Sequence, residues 1–108
     1  MVYISIDDFY RKASNCTRLT RQEEIEYAQA MNNGNSIARE RIIESYIPMV
    51  AGHIKHMQPH LQTLGLVVYC MNALEKAVDS FDFMQEGETF THRLSWWLRQ
   101  ASASYIAK

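Results

Sequence analysis

One stretch, Phe90-Thr91-His92-Arg93-Leu94-Ser95-Trp96-Trp97-Leu98-Arg99-Gln100, contains both tryptophans of the chain and is the most informative part of the sequence about the fold. On a helix, at about 100° per residue, this stretch divides into an apolar side and a polar side. The apolar side consists of Leu94, Trp97, Leu98, Ala101 and Tyr105. The phase therefore predicts that Trp97 packs inward and that Trp96 lies outside. An exposed tryptophan usually has a binding partner, although capping the edge of the core explains it equally well.

Length and composition favour one helical domain. The 108 residues suffice for a single hydrophobic core, and glycine and proline are scarce, at four and two. We therefore expect an all-α fold, a compact bundle of four to five helices that spans residues 1–108. We expect no membrane-spanning segment, because no apolar run is long enough, and we expect no signal peptide. Cys16 and Cys70 lack a CxxC spacing, so we expect reduced thiols and a cytoplasmic protein.

The charge is unevenly distributed. The net charge is −1, but residues 89–108 contain Arg93, Arg99 and Lys108 and no acidic residue. This cationic end coincides with the tryptophan stretch, and such an asymmetry suits an anionic partner bound at one face.

Start and stop signals delimit the first three helices. Ser5 can cap the first helix, and Thr20 with Glu23 forms a capping box for the second. Gly34 is a stop signal, and Asn35 can cap the third helix. Pro48 lies inside the third apolar pattern, where we expect it to kink the helix or split it.

The fourth helix is expected from Leu64 to Phe81, and an acidic connector leads from it to the tryptophan helix. The core stripe of this fourth helix is Val67, Cys70, Met71, Leu74, Ala77, Val78 and Phe81. Its opposite face is Asn72, Lys76 and Asp79, joined by Val68 and Tyr69. These two apolar residues on a polar face indicate either a contact surface or coverage by another helix of the domain.

No pattern in the sequence indicates catalysis. There is no nucleophile with a paired base and no phosphate-binding loop. His53, His56 and His60 share a helical face, but zinc would need a fourth ligand, and Pro59 disturbs the helix. We therefore predict surface histidines, no metal site, no cofactor and no enzymatic activity.

Five blocks of sequence carry a resemblance to a known family. They are Leu19-Thr20-Arg21-Gln22-Glu23-Glu24, Asn33-Gly34-Asn35, Ala38-Arg39-Glu40-Arg41-Ile42-Ile43-Glu44, Lys76-Ala77-Val78 with Phe81-Asp82, and Trp96-Trp97-Leu98-Arg99-Gln100-Ala101. In this order and spacing they resemble the promoter-reading second conserved region of bacterial RNA polymerase sigma factors. Residues 1–34 resemble the end of the first conserved region. The resemblance implies the fold of that region and a function in transcription initiation.

The resemblance implies a DNA-contacting role for the tryptophan stretch. Trp96 and Trp97 would wedge against the upstream edge of the melted minus-ten promoter element, and Gln100 would hydrogen-bond to a base edge. Phe90 would stack near the unpaired strand. The side chains that would hold backbone phosphates are Arg93, Arg99 and Lys108. Three residues of this stretch depart from the family: Arg93 replaces a tyrosine that stacks on the flipped adenine, His92 replaces a threonine, and Glu88 replaces an aromatic residue.

The resemblance also implies binding to the RNA polymerase core. The family's Asp-Leu-Ile-Gln-Glu-Gly segment binds the clamp helices of the largest catalytic subunit, and it corresponds here to Gly65 through Cys70. The implied partner contacts are Leu66, Val67, Val68, Tyr69 and Asn72. An alternative is an interaction module that uses Val68 and Tyr69 for self-association or for an anti-sigma-type regulator, without promoter melting.

Overall fold

The computed structural model describes residues 2–108, and every regular element in that range is helical. The α-helices are α1 (Ile6–Ser14), α2 (Arg21–Asn32), α3 (Ser36–Lys55), α4 (Leu64–Ser80) and α5 (Phe90–Ala107). A 3₁₀ turn, Pro59–Leu61, lies between α3 and α4. Since residues 2–108 contain no strand, the predicted all-α bundle of four to five helices is confirmed. Within the same range, no helix combines the length and the apolar character needed to cross a membrane.

The predicted caps begin the first three helices. The side chains of Ser5 and Asn35 each accept a hydrogen bond from a backbone N–H three residues further on, at 3.1 and 3.0 Å. Thr20 and Glu23 form both halves of the capping box of α2. Gly34 follows that helix with φ +90°, a conformation that glycine adopts without strain. Local signals therefore define these helix starts.

α3 contains Pro48, where the sequence predicts a kink or a break. The helix continues without interruption to Lys55, so a break is excluded. Proline removes one hydrogen bond, but buried side chains before and after it anchor the helix to the core. They are Ile42, Ile43, Ile47, Val50 and Ile54.

α4 and α5 form an antiparallel pair that carries both predicted contact regions. Tyr105 near the end of α5 meets Gly65 at the start of α4, whereas Trp97 lies beside Lys76 further along. A Cβ on Gly65 would come within 2.9 Å of the Tyr105 ring. The hydroxyls of Thr63 and Tyr105 are hydrogen-bonded at 2.7 Å. Glycine thus permits the close approach that fixes the C-terminal end of α5.

The core contains residues of all five helices and extends into the connector between α4 and α5. Phe83 of the connector is buried and stacks on Phe90, with ring centroids 5.0 Å apart. Arg21 donates a hydrogen bond to the Phe83 carbonyl at 3.1 Å. Arg39 joins α3 to α4 through two hydrogen bonds to Asp79, at 2.7 and 2.9 Å. The contacts of Phe83 hold the connector against α5 and α2, and the Arg39–Asp79 pair holds α4 against α3.

Candidate nucleic-acid interface

α5 presents one face to the core and the other to solvent. Leu94 and Leu98 are buried, and Trp97 is partly buried against the core. Trp96 is 46% exposed, and its ring meets that of Trp97 edge to face with centroids 5.4 Å apart. The prediction that Trp97 faces inward and Trp96 outward is confirmed.

Three neighbouring residues on the outer side of α5 form what we call the tryptophan face: Trp96, Arg99 and Gln100. All three are exposed, and Arg99 has no carboxylate ion-pair partner in the described part of the chain. Lys108 lies past the end of the helix, with Nζ 5.3 Å from the Tyr69 ring centroid. An exposed ring, a guanidinium and a side-chain amide can respectively stack on bases, neutralise phosphates and read base edges.

Arg93 is paired within the protein. Its Nε lies 2.7 Å from Glu88 Oε1, and its Nη2 donates to Glu88 Oε2 at 3.0 Å. This bidentate geometry is the preferred one for a guanidinium and a carboxylate. Two of the residues that depart from the resembling family, Glu88 and Arg93, therefore neutralise each other. Arg93 is not an unpaired cation in this arrangement, which separates it from Arg99.

Phe90 lies in the core, contrary to the exposed stacking role that the resemblance implies. Its ring is 3% exposed and contacts Tyr46, Phe81 and Phe83, with centroid distances of 4.6, 5.3 and 5.0 Å. Aromatic rings enclosed in this way stabilise the packing and leave no face for a nucleobase. We therefore correct the role of Phe90 from base stacking to holding the start of α5.

The partner contacts expected on α4 are divided between the core and the surface. Leu66 and Val67 are 0% and 2% exposed, so their assignment to a partner surface is corrected to core packing. Val68 is 56% exposed and Asn72 is also exposed. Tyr69 is partly covered by α5, since its ring lies 5.3 Å from that of Tyr105. Coverage by another helix, one of the two alternatives for this patch, thus holds for Tyr69 and not for Val68.

The exposed part of α4 and one residue of the tryptophan face, Gln100, border the same cavity. This α4–α5 groove has a volume of about 330 Å³. Its lining residues are Val68, Tyr69, Asn72, Ala73, Lys76, Trp97, Gln100, Ala101 and Ser104. Two regions that the sequence treats as separate sites, one on α4 and one on α5, are therefore adjacent.

His53 forms a contact that sequence reasoning missed. Its Nε2 lies 2.8 Å from the hydroxyl oxygen of Ser102, which is buried on α5. Burial, followed by the nearby Arg99 and His56, lowers the pKa of His53. His56 and His60 are exposed, as predicted, whereas His53 is only partly exposed. The signal was Ser102 itself, a hydroxyl next to Ala101 on the core side of α5, which needs a partner when buried.

The acidic residues of α2 form structural contacts. Glu23 completes the capping box, and Glu24 is buried and accepts a hydrogen bond from the Tyr46 hydroxyl. Burial, followed by this hydrogen bond, raises the pKa of Tyr46. No group of three His, Cys, Asp or Glu residues in the described range is arranged to hold a metal ion. We interpret the Tyr46–Glu24 bond as a packing contact between α2 and α3.

The helical fold and the tryptophan face define the class as a helical domain with a candidate nucleic-acid interface. No family model matches the chain. Among curated proteins, the RNA polymerase sigma factor SigA of Clostridium acetobutylicum is 32% identical in an alignment 109 positions long that covers 96% of this chain. The chain spans 29% of the length of that relative. The chain is therefore similar to one region of a sigma factor. This similarity supports the resemblance carried by the motifs for the domain as a whole, and it does not assign contacts to single residues.

Proposed function

We propose that this chain is a sigma-factor-like domain that acts in transcription initiation by contacting minus-ten promoter DNA, without enzymatic activity. Its similarity to a named sigma factor over 96% of its length supports this proposal. The single observation that carries the DNA contact is Trp96, which is 46% exposed beside a cation and an amide. A large ring left in water at such a place favours a partner that stacks on it.

Each residue of the tryptophan face has a separate role in this proposal. The Trp96 ring stacks against the edge of the melted promoter element, with Trp97 behind it as support. Gln100 hydrogen-bonds to a base edge, for which a side-chain amide has both donor and acceptor groups. Arg99 and Lys108 contact phosphates and supply affinity that depends on salt. No acidic residue in residues 89–108 opposes this attraction.

The proposal includes binding to the RNA polymerase core, with the clamp helices of its largest catalytic subunit as the expected partner. Because Leu66 and Val67 are buried, the contact on α4 would use Val68, Tyr69 and Asn72. Of these, Val68 offers the largest exposed apolar surface. The expected result is that Val68→Asp reduces capture of core polymerase in a pull-down, whereas Ile37→Asp, the same change at an exposed position of α3, does not.

Binding to a fork-junction minus-ten DNA across a salt series tests the DNA contact. We expect Trp96→Ala and Gln100→Ala to weaken binding about tenfold, since stacking and base-edge contacts are each worth roughly 1–3 kcal/mol. Ile37→Ala is the matched control because Ile37 is an exposed apolar residue outside α5. If the wild type does not bind at low salt, or if both variants bind as well as the control, the proposal fails.

A second candidate is an interaction module that pairs with itself or with a regulator and does not melt promoters. The exposed Val68 favours it, because an apolar side chain on a polar face is typical of a contact surface. Sedimentation over a range of concentrations would reveal self-association, which Val68→Asp would abolish. A monomer that captures core polymerase through α4 would exclude this candidate.

A further inference from the structure

We propose that His53 and His56 of α3, together with Arg99 of α5, bind backbone phosphates of the paired DNA that adjoins the melted element. We call these three residues the α3–α5 flank, and Arg99 belongs both to it and to the tryptophan face. The inference rests on the proposed DNA contact and extends it from α5 to α3. It gives α3 a role in nucleic-acid binding that none of the sequence motifs indicates.

Acidic residues are absent from two long segments of the chain. All twelve lie within residues 7–44 and 75–88, so residues 45–74 and 89–108 contain none, and these two segments contain all four histidines. The structure brings the two segments together at one end of the bundle, where His53 contacts Ser102 and Gly65 meets Tyr105. A surface formed by these segments attracts a polyanion without opposing carboxylates of its own.

The hydrogen bond between His53 and Ser102 fixes the geometry of the flank, with Nε2 of the ring 2.8 Å from the hydroxyl oxygen. Arg99 lies three residues before Ser102 on α5, and His56 lies three residues after His53 at the end of α3. Residues at this spacing are neighbours on a helix surface. Arg99 and His56 are exposed, and both act electrostatically on His53. The three side chains therefore form one connected surface.

The flank continues the tryptophan face along the surface of the protein. Trp96, Arg99 and Ser102 follow one another at three-residue intervals on α5, about 9 Å from the first to the last. His53 contacts Ser102, and α3 runs in the same general direction as α5, so His56 lies about 4.5 Å further on. This path of about 13 Å corresponds to roughly four nucleotides at about 3.4 Å each. In the proposed function, Trp96 lies where base pairing ends, so the path can follow the paired arm.

The chemistry of the flank favours phosphates of a duplex over bases. Arg99 offers guanidinium donors, and a histidine ring offers an N–H donor and, when protonated, a positive charge. The three residues carry neither a side-chain amide, which reads base edges, nor a large apolar ring, which stacks on bases. A duplex has about one phosphate per 1.7 Å of its axis, twice the density of one strand. The paired arm is therefore the better ligand for this surface.

Proton binding by His53 links this contact to pH. Burial, followed by Arg99 and His56, lowers the pKa of His53. On α4, Cys70 also contacts Ser102, and burial raises the pKa of this thiol to about 11, so it stays uncharged. A phosphate bound to Arg99 would offset the positive charges that oppose protonation of His53. DNA binding should therefore promote proton uptake, and the affinity should rise as the pH falls from 7.5 to 6.

The first experiment compares two fork-junction DNAs in a binding assay at pH 6.5. One has ordinary phosphates, and the other has four uncharged methylphosphonate linkages in the paired arm beside the melted edge. On ordinary DNA, we expect His56→Ala to weaken binding about fivefold, through loss of one hydrogen bond to a phosphate. On the methylphosphonate DNA, the wild type should bind more weakly and His56→Ala should bind as well as the wild type. An equal effect of His56→Ala on the two DNAs would overturn the inference.

Lys55→Ala is the matched control in this experiment. Lys55 is an exposed cation next to His56 in sequence, but its Nζ lies 4.8 Å from the centroid of the Tyr10 ring of α1. Asp7 acts electrostatically on the same tyrosine, so Lys55 belongs to another surface. Its removal should change the affinity for both DNAs by the same factor. Thermal melting checks that the variants keep wild-type stability.

The second experiment measures fork-junction affinity between pH 7.5 and 6 at constant salt. We expect the affinity of the wild type to rise as the pH falls, and that of His53→Gln to rise less, because glutamine can bond to Ser102 but does not titrate. His92→Gln removes an exposed histidine from the N-terminal half of α5 and should follow the wild type. Equal pH dependence in the wild type and His53→Gln would exclude His53 from the contact.

The failure of this inference is distinguishable from the failure of the proposed function. If binding depends on Trp96 while His56→Ala behaves like Lys55→Ala on both DNAs, the flank is wrong and the tryptophan face stands. If the wild type does not bind the fork junction at low salt, both are wrong.

Discussion

The two halves of α5 differ in what satisfies their functional side chains. In the N-terminal half, Phe90 is enclosed by other aromatic rings and Arg93 is paired with Glu88. In the C-terminal half, Trp96 and Arg99 are exposed, and within residues 2–108 no ion pair or side-chain hydrogen bond ties either of them to another element. The side chains of the first half thus pack against the connector and the core, whereas those of the second half are available to bind a partner.

This difference shows that a resemblance to a family predicts the presence of a helix more reliably than it predicts the contacts of each side chain on that helix. Glu88 and Arg93 stand where the resembling family has aromatic residues, and here the two pair with each other. An ion pair between the connector and α5 has replaced side chains to which base stacking is attributed. We therefore expect the C-terminal half to account for DNA affinity and the N-terminal half to account for stability.

The largest expected effect is on stability, at Phe90. Phe90→Ala should lower the free energy of unfolding by about 3–5 kcal/mol, because it leaves a cavity among Tyr46, Phe81 and Phe83. Urea denaturation measures this loss. Phe90→Leu, which keeps most of the volume, should cost about 1.5 kcal/mol or less and gives a folded variant if the alanine form does not fold.

Trp96→Ala is the control for this prediction on the other half of α5. Because Trp96 is 46% exposed, its removal should cost less stability than that of Phe90 while reducing DNA binding. Equal losses of stability at the two positions would contradict the division of α5 into a packed half and a contact half.

The next effect concerns the C-terminal anchor of α5. Gly65→Ala should destabilise the protein by about 1–3 kcal/mol, because a Cβ there would meet the Tyr105 ring at 2.9 Å and displace it from Thr63. Gly52→Ala is the matched control in α3, where a Cβ meets nothing within 4 Å. That change should stabilise the helix by up to about 1 kcal/mol. Urea denaturation that gave both variants the same sign would contradict this account.

A smaller effect is expected from pH, through His53. Because burial lowers its pKa in the folded protein, the unfolded chain binds more protons below pH 6.5, and stability should fall as the pH drops from 7 to 5.5. Protonation would also place a charge near Arg99. His53→Gln, which can still hydrogen-bond to Ser102, should show a weaker dependence of the free energy of unfolding on pH.

Carboxylates contribute in a separate and lower pH range. Hydrogen bonds from the Thr20 backbone and from Arg39 lower the pKa values of Glu23 and Asp79, whose ordinary values are 4.5 and 3.8. The stability they add is present above those values and is lost as the pH falls through the lowered pKa values.

If His53→Gln lost stability between pH 7 and 5.5 as steeply as the wild type, His53 would not be the source of the pH dependence in that range.

The predictable part of the fold is the part encoded locally. The caps at Ser5, Thr20 and Asn35 act over three residues, and the phase of α5 follows from the helical repeat. The periodicity also placed Val67 on the core stripe of α4, and its burial agrees with that pattern rather than with the resemblance. The local pattern was thus the better guide at Val67, whereas neither the pattern nor the resemblance predicted the burial of Leu66 and Phe90.

The remaining features depend on packing between distant segments. His53 and Ser102 are separated by 49 positions, and the α4–α5 groove exists only because two helices pack in antiparallel order. The Arg93–Glu88 pair is closer in sequence but bridges a connector whose path no repeat pattern specifies. These contacts need the assembled bundle, so the adjacency of the two candidate sites could not be derived from the motifs.

The smallest change in stability is expected at Glu88, and this residue also tests whether the two halves of α5 differ in DNA binding. Glu88→Gln should change stability by less than about 1 kcal/mol, because the pair with Arg93 is partly exposed. It should also free Arg93 for a phosphate, which would raise DNA affinity and steepen the slope of log affinity against log salt by about 0.9. Glu86→Gln removes the same charge from the connector without breaking that pair, so it controls for the general loss of repulsion. If the slope is steeper in Glu88→Gln alone, the ion pair prevents Arg93 from contacting DNA in the wild type. If the two variants have equal slopes, the N-terminal half of α5 does not contact the DNA.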